Sequence, residues 1–281
     1  MAKRLLVVVS ILVILLLLVI VISFVANYSF NRSANKEVEN LLAKNEGASK
    51  EIVKKTDIDK LPISVQKWMV YSQVLGKDRI VTAKVEQEAQ MRLKKEQSWM
   101  PLKAEQYFTF EEPGFIWNAK IKMAPLIHIA GKDKYIDGKG NMLIKIMSLI
   151  TVADGKGQKV DQGTLLRFLA ETVWSPTAAL EDYINWEEID DHSAKATMSY
   201  KGVVASGIFT FGKSGEVKNF TAQRYGDFNG EYSLETWSID VSEYKEFSGI
   251  KVPTKGEITW KLNDGDFNWY NFKVINVEYN N

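Results

Sequence analysis

From Leu5 to Ala26 the chain reads LLVVVSILVILLLLVIVISFVA, apolar throughout except for Ser10 and Ser23. A helix rises about 1.5 Å per residue, so this run is long enough to cross a hydrocarbon layer of about 30 Å. It exceeds the roughly 7–15 apolar residues of a cleavable leader and continues into the bulky Phe24 and Val25. An uncleaved signal anchor is predicted over residues 1–30. Lys3 and Arg4 precede the run, whereas Arg32 and Lys36 behind it are offset by Glu37 and Glu39. That asymmetry predicts a single-pass protein of the cell membrane, with a cytoplasmic N-terminus and an extracytoplasmic main domain.

Residues 31–60 are polar, mixed in charge and poor in large apolar side chains, which predicts a tether with some helical character. The folded domain is expected over residues 61–281. A helix opens at Pro62, a favoured first-turn residue, with Val65, Trp68, Met69 and Leu75 at helical spacing and Gly76 as its stop. The period then changes to 2. Val81, Ala83, Val85, Gln87, Ala89, Met91 and Leu93 alternate with polar residues, and the alternation resumes over 102–110 and 115–121. Later strands are predicted over 196–200, 203–211, 217–225, 233–241, 256–262 and 269–279, with turns at Asp137-Gly138, Ser214-Gly215 and Asp264-Gly265. One segment breaks the meander. Leu165, Leu166, Phe168, Leu169 and Val173 fit a helix, and Ser175-Pro176 starts a second short one. Strands joined by short turns pair as antiparallel neighbours, so the expected fold is α+β: one curved antiparallel sheet, half-barrel-like, with helices covering one face.

Composition narrows the chemistry. The net charge is +1 and there is no cysteine, which speaks against a nucleic-acid partner and excludes thiol nucleophiles, zinc-thiolate sites and disulfides. Neither histidine sits in a metal-binding motif; Asp190-Asp191-His192 reads as a solvated loop and His128 as a structural histidine. Gly155-Lys156-Gly157 and Lys213-Ser214-Gly215 lack the spacing of a phosphate loop or a nucleophile elbow. No cofactor or metal is expected.

The informative residues are polar ones at apolar positions of the alternation, Gln87, Gln106 and Arg224. Burying such a group without a partner costs about 1–3 kcal/mol, so each must meet another polar group, water or a ligand. Aromatic residues Phe108, Phe110, Trp117 and Trp237 share their strands' apolar faces, as core or as cavity wall. Arg167 and Glu171, four apart, share one helix face, as a surface pair or as the lid of a cavity. These residues form the candidate ligand site of a non-catalytic domain that binds a lipid or other hydrophobic molecule. An interaction module for an envelope protein partner is the alternative, and a hydrolase using Glu105, Glu171 and Asp133 is the third reading.

Several segments carry a resemblance: LPISVQKW from Leu61, SWMPLKAEQYFTFEEPGFIWNAKI from Ser98, DKYIDGKGNM from Asp133, LLRFLAETVWSPTAAL from Leu165 and GIKVPTKGEITW from Gly249. Together they resemble a family of bacterial membrane-anchored proteins defined only as a domain of unknown function. The resemblance implies an antiparallel half-barrel similar to the lipoprotein carriers and receptors of bacterial envelopes, with helices plugging the concave side. It implies no activity.

Overall fold

The computed structural model describes residues 2–44, 51–228 and 230–280. Helix α1 (Ala2–Ala43) is continuous through the apolar run and into the polar segment behind it. Among the described residues it is the one helix long and apolar enough to cross a membrane. Its last turns lie on the outer face of the sheet. Ala34, Val38 and Leu41, at spacings of four and three, are buried there, with Val38 and Leu41 packed against Ile116, while Glu37 bonds both Lys132 and Lys134. Part of the segment read as tether is therefore helix docked on the domain, and residues 45–50 of it lie outside the described residues.

Thirteen strands form one antiparallel sheet in two meanders. The first comprises β1 (Thr82–Met91), β2 (Met100–Thr109), β3 (Gly114–Ala124), β4 (Ile127–Ile136), β5 (Lys139–Ile146) and β6 (Ile150–Gly155). The second comprises β7 (Ile184–Asp190), β8 (Ser193–Tyr200), β9 (Val203–Phe211), β10 (Val217–Phe228), β11 (Glu231–Phe247), β12 (Ile250–Leu262) and β13 (Gly265–Tyr279). The first and last strands join the meanders, with Val85 opposite Val277. The alternation holds through β1, where Ala83, Val85 and Gln87 are buried and Lys84, Glu86 and Glu88 face outward. Strands β4 to β7 carry weaker alternation than β1 to β3, and the sequence marks them by turns more than by pattern.

The connection from β6 to β7, the two outer strands, crosses the concave face. It carries α4 (Gln158–Glu171) and two 3-10 turns, Thr172–Trp174 and Pro176–Leu180. Leu165, Leu166, Phe168, Leu169 and Ala170 of α4 are buried, and Asp161 in its first turn accepts a bond from the Gly140 amide at 2.8 Å. Two short helices, α2 (Lys55–Ile58) and α3 (Ile63–Tyr71), complete the fold. In α3, Val65, Trp68 and Met69 are buried as their spacing predicts. It ends at Tyr71 rather than running to Gly76, because Gln73 turns to a positive φ of 61°. The Asp190–His192 stretch is a tight turn in which Asp190 accepts from the His192 amide at 2.8 Å. No group of histidine, aspartate and glutamate able to hold a metal ion occurs among the described residues.

Candidate functional site

Two cross-strand rows face each other across the concave side. In one, register sets Gln106 opposite Trp117 and Trp117 opposite Asp133. In the other, Ala222 stands opposite Trp237, Trp237 opposite Trp260 and Trp260 opposite Phe267. Between them is a cavity of about 620 Å³, roofed by α4. Trp117, Phe220, Trp237, Trp260 and Tyr270 supply apolar walls, and Gln87, Asp133, Arg167, Glu171 and Arg224 the polar ones.

Arg167 reaches down from α4 into a closed network. Its Nε donates to Glu171 Oε1 at 2.8 Å and its guanidinium to Asp133 Oδ2 at 2.7 Å and Gln106 Oε1 at 3.2 Å. Gln106 Nε2 completes it by donating to Glu171 Oε2 at 2.6 Å. The rings of Trp117 and Phe115 lie 5.0 and 5.1 Å from the guanidinium carbon. Burial raises the Asp133 and Glu171 carboxyls above the usual carboxylate range, against the pull of Arg167. For Arg167 itself burial works downward, and Glu171 and Asp133 outweigh it, so its guanidinium stays charged.

Arg224 is the opposite case. Strand β10 aims it into the same cavity, where its guanidinium carbon lies 4.5 Å from the Trp237 ring and 5.9 Å from that of Trp260. Its Nε is buried without a hydrogen-bond partner, and among the described residues no carboxylate forms an ion pair with it. Burial and the nearby charge of Arg167 lower its pKa to about 10. Two further donors are unmet in residues that border the cavity, Nε1 of Trp237 and Nε2 of Gln87; the two residues are only 1% and 4% exposed. Gln87 Oε1 accepts from the Tyr270 hydroxyl at 3.2 Å. The site is thus a hollow with apolar walls, one balanced charge network, one cation without an ion-pair partner and unmet donors among its lining residues.

A family model described as a family of unknown function (DUF6920) matches residues 59–279. The chain belongs to the DUF6920 family. That match takes in α3, α4 and the whole sheet and leaves out α1. The comparison with curated proteins returned no match. Among solved structures, a LolA superfamily protein from Nitrosomonas europaea is 10% identical, with a TM-score of 0.41, over 71% of this chain and 86% of that one. A DUF1329 family protein from Desulfovibrio piger is 9% identical, with a TM-score of 0.42, over 83% of this chain and 94% of that one. The similarity concerns the fold alone.

In this DUF6920 chain the candidate residues fall into three places. Gln87, Trp117, Arg167, Glu171, Arg224 and Trp237 border the cavity. Gln106 lies behind its wall, fully buried in the Arg167 network. Phe108 and Phe110 do not line it: their rings stack 5.9 Å apart and pack against Phe168 at 6.2 and 5.7 Å. Alternation identifies the inward face of β2 but not the depth at which α4 covers it. Glu105 points to the other face of the sheet, beside Tyr107 and Lys84, so it does not join Asp133 and Glu171. The Asp133–Arg167 partnership carries no local signal, since the path of α4 over the sheet brings it about, and Trp260 and Tyr270 are marked only as members of their strands. Alternation along β12 and β13 was the available clue.

Proposed function

We propose that this protein is a non-catalytic, membrane-anchored binding protein whose extracytoplasmic half-barrel holds a lipid or other acyl-bearing molecule. The observation that carries the reading is the 620 Å³ hollow beside Arg224, a volume within the usual range of ligand pockets and walled as they are, by apolar surface with a few placed polar groups. An acyl chain fits the tryptophan walls, and an anionic or strongly polar headgroup answers Arg224, Gln87 and the Trp237 N–H. α4 roofs the site through the Arg167 network. α1 crosses the cell membrane once, with its N-terminus in the cytoplasm.

The test uses the full chain in its membrane. A fatty acid carrying a photoreactive diazirine on its chain is added and irradiated, and crosslinked peptides are identified by mass spectrometry. Crosslinks on Trp237, Met142 and Phe220 are expected; crosslinks confined to α1 overturn the reading.

A further inference from the structure

The outer face of the sheet carries a second feature. Register lines up Lys255 opposite Lys273, Lys273 opposite Glu88, Glu88 opposite Lys103 and Lys103 opposite Lys120. Like charges directly across a strand pair repel, and this row contains two such pairs. One acid, Glu88, lies in the row, 3.1 Å from Lys103, and Glu243 pairs with Lys255 from outside it. Lys120, Lys122 and Lys273 form no ion pair among the described residues, and all three are exposed. The row forms one wall of a groove of about 1060 Å³, and Ile20, Phe24 and Asn27 of α1 form the other.

That location fixes the row relative to the apolar run. Ser23 Oγ donates to the Met147 carbonyl at 3.4 Å, and Ser148 Oγ donates to Asn27 Oδ1 at 3.1 Å. The β3–β4 and β5–β6 turns therefore sit level with the end of the Leu5–Ala26 stretch. About 20 residues of helix cross the hydrocarbon, which places its boundary near Phe24. At these turns Leu126 is 84% exposed, and Met123, Ile127, Leu149 and Ile150 are exposed with it. Lys120 stands opposite Ala130, two residues further along β4 than His128, about 7 Å at strand rise. Each headgroup layer is itself about 5–8 Å deep. Apolar tips at the hydrocarbon boundary and lysines at headgroup depth are the order a bilayer presents.

We propose that this edge of the sheet docks on the bilayer that α1 crosses. The Leu126, Leu149 and Ile150 tips enter its surface, and the lysine row binds the phosphates of anionic phospholipids. The proposal rests on α1 spanning the membrane, and the test separates the two. Because the chain lacks cysteine, single Leu12→Cys, Leu126→Cys and Glu112→Cys variants of the full chain take an environment-sensitive dye. Each is reconstituted into vesicles of phosphatidylcholine with phosphatidylglycerol, or of phosphatidylcholine alone, doped with brominated lipids that quench at known depth. Expected is deep quenching at Leu12→Cys, shallow quenching at Leu126→Cys that is stronger with phosphatidylglycerol, and none at Glu112→Cys on the opposite edge. Quenching at Leu12→Cys without any at Leu126→Cys overturns the docking and leaves the anchor; no quenching at Leu12→Cys overturns both. Replacing Lys103, Lys120 and Lys273 together by glutamine should abolish the phosphatidylglycerol effect while leaving the melting temperature in detergent equal or higher. An unchanged lipid effect overturns the role of the row, and a lower melting temperature shows that the lysines serve folding instead.

Discussion

Under α4 the concave face is solid on one side and hollow on the other. On the solid side Phe108 meets Phe110, Phe115, Phe168 and Trp174 with ring centroids 5.9 to 6.5 Å apart. Trp68 likewise packs on Phe209 at 5.9 Å and Trp186 at 6.3 Å. On the hollow side Trp117, Trp237 and Trp260 stand around space, with Arg224 unpaired among them. Both sides use the same residue types on the same sheet. The difference lies in what is brought to meet them: Phe168 and the 3-10 turns fill one side, whereas over the other α4 supplies an arginine network and Gly163. Packing on the first side serves stability; the second leaves stability unrealised, which is what the proposed binding role requires of it.

The contrast is broken most severely on the solid side. Phe108→Ala should cost about 3–5 kcal/mol, the usual loss for a buried aromatic ring whose cavity cannot collapse, read as a lower urea midpoint. Arg167→Met comes next, at about 3 kcal/mol near neutral pH, because it strands two carboxylates that are largely withdrawn from water. Its pH dependence identifies the cause. Asp133 and Glu171 have folded pKa values raised above their ordinary ones, so the folded state binds more protons and stability rises as pH falls from the raised values toward the ordinary carboxylate range. Without Arg167 those values rise further, and the variant should recover part of its loss on acidification. A loss that is flat with pH would show that Arg167 matters only as a packed side chain.

How the sequence announces these two sides differs. Gln87, Gln106 and Arg224 stand out as polar residues at apolar strand positions, so the inward face of each strand and its need for polar partners are legible one strand at a time. Which partner each receives is not legible, because Gln106 meets Arg167 across 61 positions and Tyr270 meets Gln87 across 183. Those meetings follow from the strand order and the path of α4, which no local pattern encodes. The same limit moved Phe108 and Phe110 from the expected cavity wall into the core. In α1 the signal was present: Ala34, Val38 and Leu41 recur at helical spacing within a polar stretch, but three small or medium apolar residues do not reveal a docked helix until Ile116 is seen beneath them.

On the hollow side the sign reverses. Arg224 holds its charge against burial and against Arg167, with its pKa lowered to about 10. Arg224→Met removes a charge that no carboxylate pairs in the ligand-free protein, at the loss of its contact with the Trp237 ring, and should stabilise the protein by about 1 kcal/mol. The same variant should take up less of the photoreactive fatty acid. Stabilisation with undiminished uptake would mean that Arg224 is a packing accident rather than a headgroup contact.

The smallest effect separates a cavity kept open from one left unfilled. Gly163 lies inside α4, where glycine is worse than alanine by up to about 1 kcal/mol. A Cβ added there would meet Arg224 Nε at 3.6 Å, ordinary van der Waals contact, so nothing steric demands glycine in the ligand-free protein. Gly163→Ala should therefore raise stability by about 0.5–1 kcal/mol, seen as a small rise in melting temperature. If the space beside the guanidinium is where a headgroup sits, the added methyl intrudes on it, and fatty-acid crosslinking should fall as the melting temperature rises. If both rise together, or crosslinking stays constant, the headgroup does not lie between α4 and β10, and Arg224 must meet its ligand from the Trp260 side.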